Sequence, residues 1–212
     1  MNERTAQLIP VLRQLMGDEY EREQDNVPIT DPLTQDGEFT AQAMATALSL
    51  AARKLLQSAQ RELVDVHRFA RMFNEYVDDF DPGFIGKQGK TGKYELPADF
   101  GWLITARFRP ENGKAVRVML GDSMTAIDKL LEETNVEEAN VARGWVQGNT
   151  FVVAYTNTDG SFDHSDLNTV QLRYVKLQPM VVIGTDTDII MRGTWDHEIV
   201  QFAKVILMSF KD

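Results

Sequence analysis

The sequence predicts an α+β fold: a helical bundle formed by N-terminal helices and the C-terminal helix, with an inserted antiparallel β domain. Three observations lead there. From Gly37 to Asp78 there is no proline and no internal glycine, and Met44, Leu48, Ala52, Leu55, Ala59, Leu63, Val66, Phe69 or Ala70, Phe73 and Val77 recur at helical spacing. A second stretch of this character, Asp196 to Phe210, lies at the opposite end of the chain. Between them, from Tyr94 onward, the apolar period shortens to two and turn residues punctuate it. A stripe as long as the first needs a partner, and the rear helix is the natural one. The expected division is an arm and linker over 1–36, a bundle of 37–80 with 194–212, and a β-rich insertion over 94–190.

Each element follows from its own residues. Thr5 to Met16 reads as a short amphipathic helix with Pro10 in its first turn, where a missing N–H costs least. Gly17 to Gly37, acidic and carrying Pro28 and Pro32, reads as an extended connector. Asp36 or Thr40 caps the long helix, which is expected to run on or to fold back near Ser58. Its inward residues are Leu48, Leu55, Val66 and Phe73, facing Ile199, Phe202 and Ile206 of the last helix, with Ala203 and Phe210 on the same face and Val200, Val205 and Leu207 widening it. Thr194 or Asp196 caps that last helix. Strands are expected around Trp102–Phe108, Lys114–Leu120, Gly144–Tyr155 and Val170–Leu177, with turns at Pro110–Gly113 and Gly148–Asn149. Ser123 to Glu133 reads as a short helix.

The 212 residues are 43% hydrophobic and 25% charged, an ordinary globular balance able to bury a core. There is no cysteine, so disulfides and thiolate metal sites are excluded. No run approaches the roughly 20 apolar residues that cross a bilayer, so no membrane partner is expected. Met1-Asn-Glu-Arg-Thr lacks a basic region followed by an apolar one, and no signal peptide is expected. A net charge of −10 opposes tight binding of nucleic acid over the whole surface, while a DNA passage that must not stick is compatible with it.

Chemistry-bearing motifs fail on spacing. Gly89-Lys90-Thr91 ends like a phosphate-binding loop, but that pattern needs glycine where Phe84 stands, and a helix where Gly92 and Leu96-Pro97 follow. The stretch reads instead as a hairpin or loop in which Lys87, Lys90 and Lys93 form a basic tip that contacts DNA or an acidic partner. His197-Glu198 lacks the second histidine of a zinc protease, the position being Gln201. The acidic loops Asp159–Asp166 and Thr185–Asp188 lack the ligand pattern of an EF-hand. His67, His164 and His197 lie in separate segments, and no nucleophile elbow or dinucleotide turn is present. No catalytic residue, cofactor or metal ligand is therefore expected, and the chain is read as not an enzyme. Two other readings compete: a β-sandwich module binding carbohydrate on Trp102, Trp145, Tyr155 or Tyr174, and a metal-dependent hydrolase using the Asp159–Asp166 loop.

The order of features resembles one known family. Tyr94-Glu-Leu-Pro-Ala-Asp-Phe100 opens a β body, Trp145-Val-Gln-Gly-Asn-Thr-Phe-Val-Val continues it, Val170-Gln-Leu-Arg-Tyr-Val closes it, and a proline-containing spacer leads into Trp195-Asp-His-Glu-Ile-Val-Gln-Phe-Ala-Lys-Val-Ile-Leu. This resembles the head–tail connector, or adaptor ring, proteins of tailed bacteriophages, over Gly37 to the C-terminus. The resemblance implies a structural virion protein assembled in the host cytoplasm. It implies copies of itself in a ring, twelve as a rule, a portal protein, a downstream tail or ring protein, and DNA passing through the lumen without sequence-specific binding. The N-terminal arm and the Lys87–Lys93 stretch lie outside the pattern.

Overall fold

The structure is a computed structural model that describes residues 2–17, 33, 38–62, 66–121, 140–157, 161–162 and 165–210. The chain divides into two compact units, Val77–Lys176, and Met1–Tyr76 together with Leu177–Asp212.

The unit Val77–Lys176 is a single eight-stranded sheet. Its strands are β1 (Val77–Phe80), β2 (Phe84–Gln88), β3 (Thr91–Glu95), β4 (Phe100–Arg109), β5 (Val116–Leu120), β6 (Val141–Gln147), β7 (Thr150–Thr156) and β8 (Thr169–Lys176). They lie in the order β1-β8-β4-β5-β6-β7-β3-β2. Every neighbouring pair is antiparallel except β5 and β6, which run parallel with Val118 opposite Ala142. A parallel pair needs a long crossover, and 20 residues, 121–140, separate these two strands.

Alternation places Ala106, Phe108, Val118, Ala142, Phe151, Val153, Tyr155, Val170 and Leu172 on one buried face. That face curls upon itself. Strands β4 and β7 are three positions apart, about 14 Å in a flat sheet, yet the Phe108 and Tyr155 rings lie 4.8 Å apart. Gly144 sits where the curl is tight. A Cβ there would lie 2.7 Å from the Phe151 ring and 2.9 Å from Val118.

The other unit contains α1 (Glu3–Met16), α2 (Ala41–Glu62), α3 (Val66–Met72) and α4 (Asp196–Met208). Thr40 caps α2, its Oγ1 accepting from the Ala43 N–H at 3.1 Å. Ala41, Ala45, Ala47, Ala51 and Ala52 are buried along α2, small enough for close helix approach, beside Met44, Leu48 and Leu56. Leu8, Ile9 and Leu12 of α1 complete this side. Pro10 stands in mid-helix rather than the first turn, exposed, because α1 already begins at Glu3. The helix ends on Gly17 at φ 68, whose N–H bonds back to the Arg13 and Gln14 carbonyls.

The stretch 177–192 has no regular secondary structure, so its backbone needs partners from elsewhere. Side chains supply them. Gln42 donates to the Val181 carbonyl at 2.9 Å and accepts from the Ile183 N–H at 3.0 Å, as a neighbouring strand would. Asn2 does the same for Val182, Gly184 and Thr187. Ser49 Oγ accepts from the Val181 N–H, and Arg53 Nε donates to the Gln178 carbonyl at 2.7 Å. Gln178, fully buried, bonds Tyr76 Oη, the Ile190 N–H, and the Pro179 and Asp188 carbonyls.

The expected architecture, a helical bundle with an inserted antiparallel β domain, is corrected. The chain is β-rich, dominated by a curled mixed sheet with four described α-helices. Two physical reasons account for this. The stripe that seemed to carry a helix to Asp78 gives way to a 3-10 turn at Asn74–Tyr76, and Val77–Phe80 pairs with Val175–Leu172 of β8 instead. Strand β5 also finds a parallel partner across a crossover that alternation alone does not reveal.

Candidate functional site

The three lysines lie on the β2–β3 hairpin. Its turn is Gln88-Gly89-Lys90-Thr91, with Gly89 at φ 58 in the first central position, where only glycine sits without strain. Thr91 Oγ1 donates to the Gln88 carbonyl at 2.8 Å. The β6–β7 hairpin repeats this turn as Gln147-Gly148-Asn149-Thr150, with Gly148 at φ 58 and Thr150 Oγ1 donating to the Gln147 carbonyl at 2.9 Å. The resemblance of Gly89-Lys90-Thr91 to a phosphate loop thus comes from turn chemistry. The repeat of Gln-Gly-x-Thr was readable in the chain and would have placed both hairpins.

Lys87 pairs with Gly92, on the face shared with Tyr94, and Lys93 occupies the opposite face next to Val152. Lys90 at the turn holds its Nζ 4.9 Å from the Phe162 ring centre. The three charges therefore point in different directions rather than forming one patch.

Of the expected inward helix residues, Leu48, Leu55, Phe73 and Ile199 are buried, while Phe202 and Ile206 are half-buried. Val66 opens α3, and its side chain is outside the described residues. The buried edge of α4 is Ile199, Val200, Ala203 and Leu207, rotated from the expected line. Phe73 stacks on Trp195 with ring centres 5.1 Å apart.

The acidic groups serve the fold. Asp188, in the loop weighed for metal, accepts from the Arg4 and Thr5 N–H groups at 2.7 and 2.9 Å, and so caps the start of α1 from a distant segment. Asp196 pairs with Arg4. Asp78 bonds Lys176 Nζ at 3.2 Å, and this bond, with the Asp79 N–H, holds its carboxyl below the usual range. His197 is exposed on the first turn of α4, and the His67 and His164 side chains lie outside the described residues. Among the described residues no three His, Asp or Glu side chains gather as a metal would require. Half of the Asp159–Asp166 loop and all of the expected Ser123–Glu133 helix fall outside the described residues.

Of the rings considered as a carbohydrate platform, Tyr155 packs on Phe108 inside the sheet and Tyr174 is buried against Phe100, with ring centres 5.8 Å apart. Burial raises the Tyr174 hydroxyl, helped by its bond to Asp99. Burial also pushes Tyr94 up to about 12. Trp102 and Trp145 are half-buried.

Among the described residues, three further exposed features stand out. Along α2, Arg53, Lys54, Gln57 and Arg61 border an open groove of about 570 Å³ that Ile206 of α4 also lines. At the end of α4, Val205, Met208 and Phe210 are 60%, 52% and 67% exposed. On the outer face of the sheet, Asp79, Thr105, Arg107, Gln171 and Arg173 line a cleft of about 140 Å³.

No protein-family model matches the chain, and no curated protein is significantly similar to it. No described helix is long and apolar enough to cross a membrane.

Proposed function

We propose that this chain is a structural virion protein: a head-to-tail connector or adaptor that joins a portal to the tail as a ring around the DNA channel. The observation that carries the reading is the uncovered apolar end of α4, where Phe210 is 67% exposed beside Val205 and Met208. Elsewhere that helix hides Ile199, Val200, Ala203 and Leu207. Large apolar groups left in a row on a charged chain mark a surface that another protein covers.

The contact fits a heterologous interface, in which one surface of each copy meets a different surface of the next and the series closes into a ring. Each contact is then allowed to be weak, because every subunit is held by several neighbours at once. The partners are further copies of the chain, a portal, and a downstream tail protein. DNA passes without its sequence being read.

Light scattering coupled to size exclusion, on the full chain alone and mixed with the portal, tests this. The expected result is a complex holding several copies per portal ring, lost when Val205, Met208 and Phe210 are all changed to serine. A chain that stays monomeric beside the portal would defeat the proposal.

A further inference from the structure

The outer face of strands β1, β8, β4 and β5 concentrates positive charge on a chain whose net charge is −10. Arg107 and Arg109 of β4, Arg117 of β5 and Arg173 of β8 are all exposed. They stand opposite the buried Ala106, Phe108, Val118 and Leu172, so the same alternation that builds the core sends all four outward.

Register brings them together. Arg117 lies directly opposite Arg107, and Arg107 is opposite Gln171 on its other side, so these three form one row across β5, β4 and β8. Arg173 lies opposite Thr105 and, on the other flank, Asp79, in the next row along. Like charges directly across a strand pair destabilise a sheet. Among the described residues none of the four guanidinium groups forms an ion pair, not even Arg173 with the Asp79 that lies opposite it. On a chain with 32 carboxylate side chains, four arginines without an ion pair among the described residues face the same way.

We propose that this face binds the phosphate backbone of nucleic acid. Guanidinium is the side chain suited to phosphate, since its planar fork gives two parallel N–H bonds to one anion. The cleft beside Arg107 and Arg173 holds about 140 Å³, the scale of a single anionic group; Thr105 and Gln171 add neutral hydrogen-bonding groups to it, and Asp79 sets one carboxylate against the two guanidinium groups. A protein partner fits less well, because a protein interface needs an apolar centre inside its polar rim and these two rows contain none. Backbone binding needs no such centre and no base contact. The inference stands on the charge pattern, independently of ring assembly.

The test is fluorescence anisotropy of a labelled 20-base-pair duplex and of a 20-nucleotide single strand of mixed sequence, titrated with the full chain. If about three phosphates are neutralised, affinity falls about 40-fold for the duplex and about 20-fold for the single strand between 50 and 200 mM salt, whatever the sequence. The variant R107S/R117S/R173S should lose at least about tenfold at 50 mM and flatten the salt slope by about one per arginine removed. Its melting temperature is the control; should it fail to fold, R109S/R117S, at the free end of the face, carries the same prediction at smaller size. Absence of binding at 50 mM salt would overturn the proposal, as would undiminished binding by a folded variant. So would tighter binding to polyglutamate than to either oligonucleotide, or a self-association of the wild type that the variant abolishes without any DNA binding.

Discussion

Replacing Gln178 with leucine removes the polar hub of the 177–192 stretch while nearly keeping its volume. The Gln178 side chain is fully buried and makes four bonds, with Tyr76 Oη, the Ile190 N–H, and the Pro179 and Asp188 carbonyls. Each partner left unpaired in the interior costs roughly 1–3 kcal/mol. All four partners, Tyr76, Pro179, Asp188 and Ile190, belong to buried or half-buried residues with little access to replacement water. Partial relaxation brings the expected loss to about 3–5 kcal/mol, a large part of the 5–15 kcal/mol that holds a typical domain. Tyr76→Phe alone should cost about 1–2 kcal/mol, and much less when Gln178 is already leucine, since the O–H it deletes has then lost its acceptor. Urea melts followed by circular dichroism at 222 nm, which reports the helical unit, measure all three variants. A loss below about 1 kcal/mol for Gln178→Leu, or strict additivity in the double variant, would refute the hub.

Two further outcomes are expected. Gly144→Ala should lower the stability of the sheet by about 1–3 kcal/mol, because the new methyl meets the Phe151 ring and Val118 inside normal contact distance; an unchanged denaturation midpoint would mean that the curl is loose there. Tyr94, Tyr76 and Tyr174 all have raised folded-state values, chiefly through burial, Tyr94 to about 12. Their contribution is complete below the unfolded tyrosine value near 10 and is lost as pH rises from there through 12. Absorbance at 295 nm should therefore show three tyrosines titrating late and together with unfolding, and normal titration of all five would contradict the burial.

The hairpin turns were legible because they are local. Pro110–Gly113 closes with a bond from the Gly113 N–H to the Pro110 carbonyl at 3.2 Å, and Gly148 holds its positive φ, both set by residues a few positions apart. The start of α2 was legible only as a choice between Asp36 and Thr40, and the bond from the Ala43 N–H to Thr40 Oγ1 decides for Thr40. The end of the helical run was not. Val77 continues the apolar stripe equally well as helix or strand, and only its pairing with Val175, far along the chain, decides for β1. The inward edge of α4 was blurred because apolar residues cover more than half its circumference, so burial of Leu207 rather than Ile206 depended on the partner.

Taken alone, the amino-acid order determined what short range can enforce: the turns, the alternating strands, the absence of disulfides and the net charge. Tertiary structure decided which strands became neighbours, how far the sheet curled, and who satisfied the bare backbone of 177–192. The reason is one of distance. Asn2 serves carbonyls 180 and 185 positions away, and Gln42 serves Val181 across 139. Likewise, Arg107, Arg117 and Arg173 are scattered through the chain and become one charged face only when β5, β4 and β8 lie side by side. No local rule ranks such pairings, since they form only after the intervening chain has been placed.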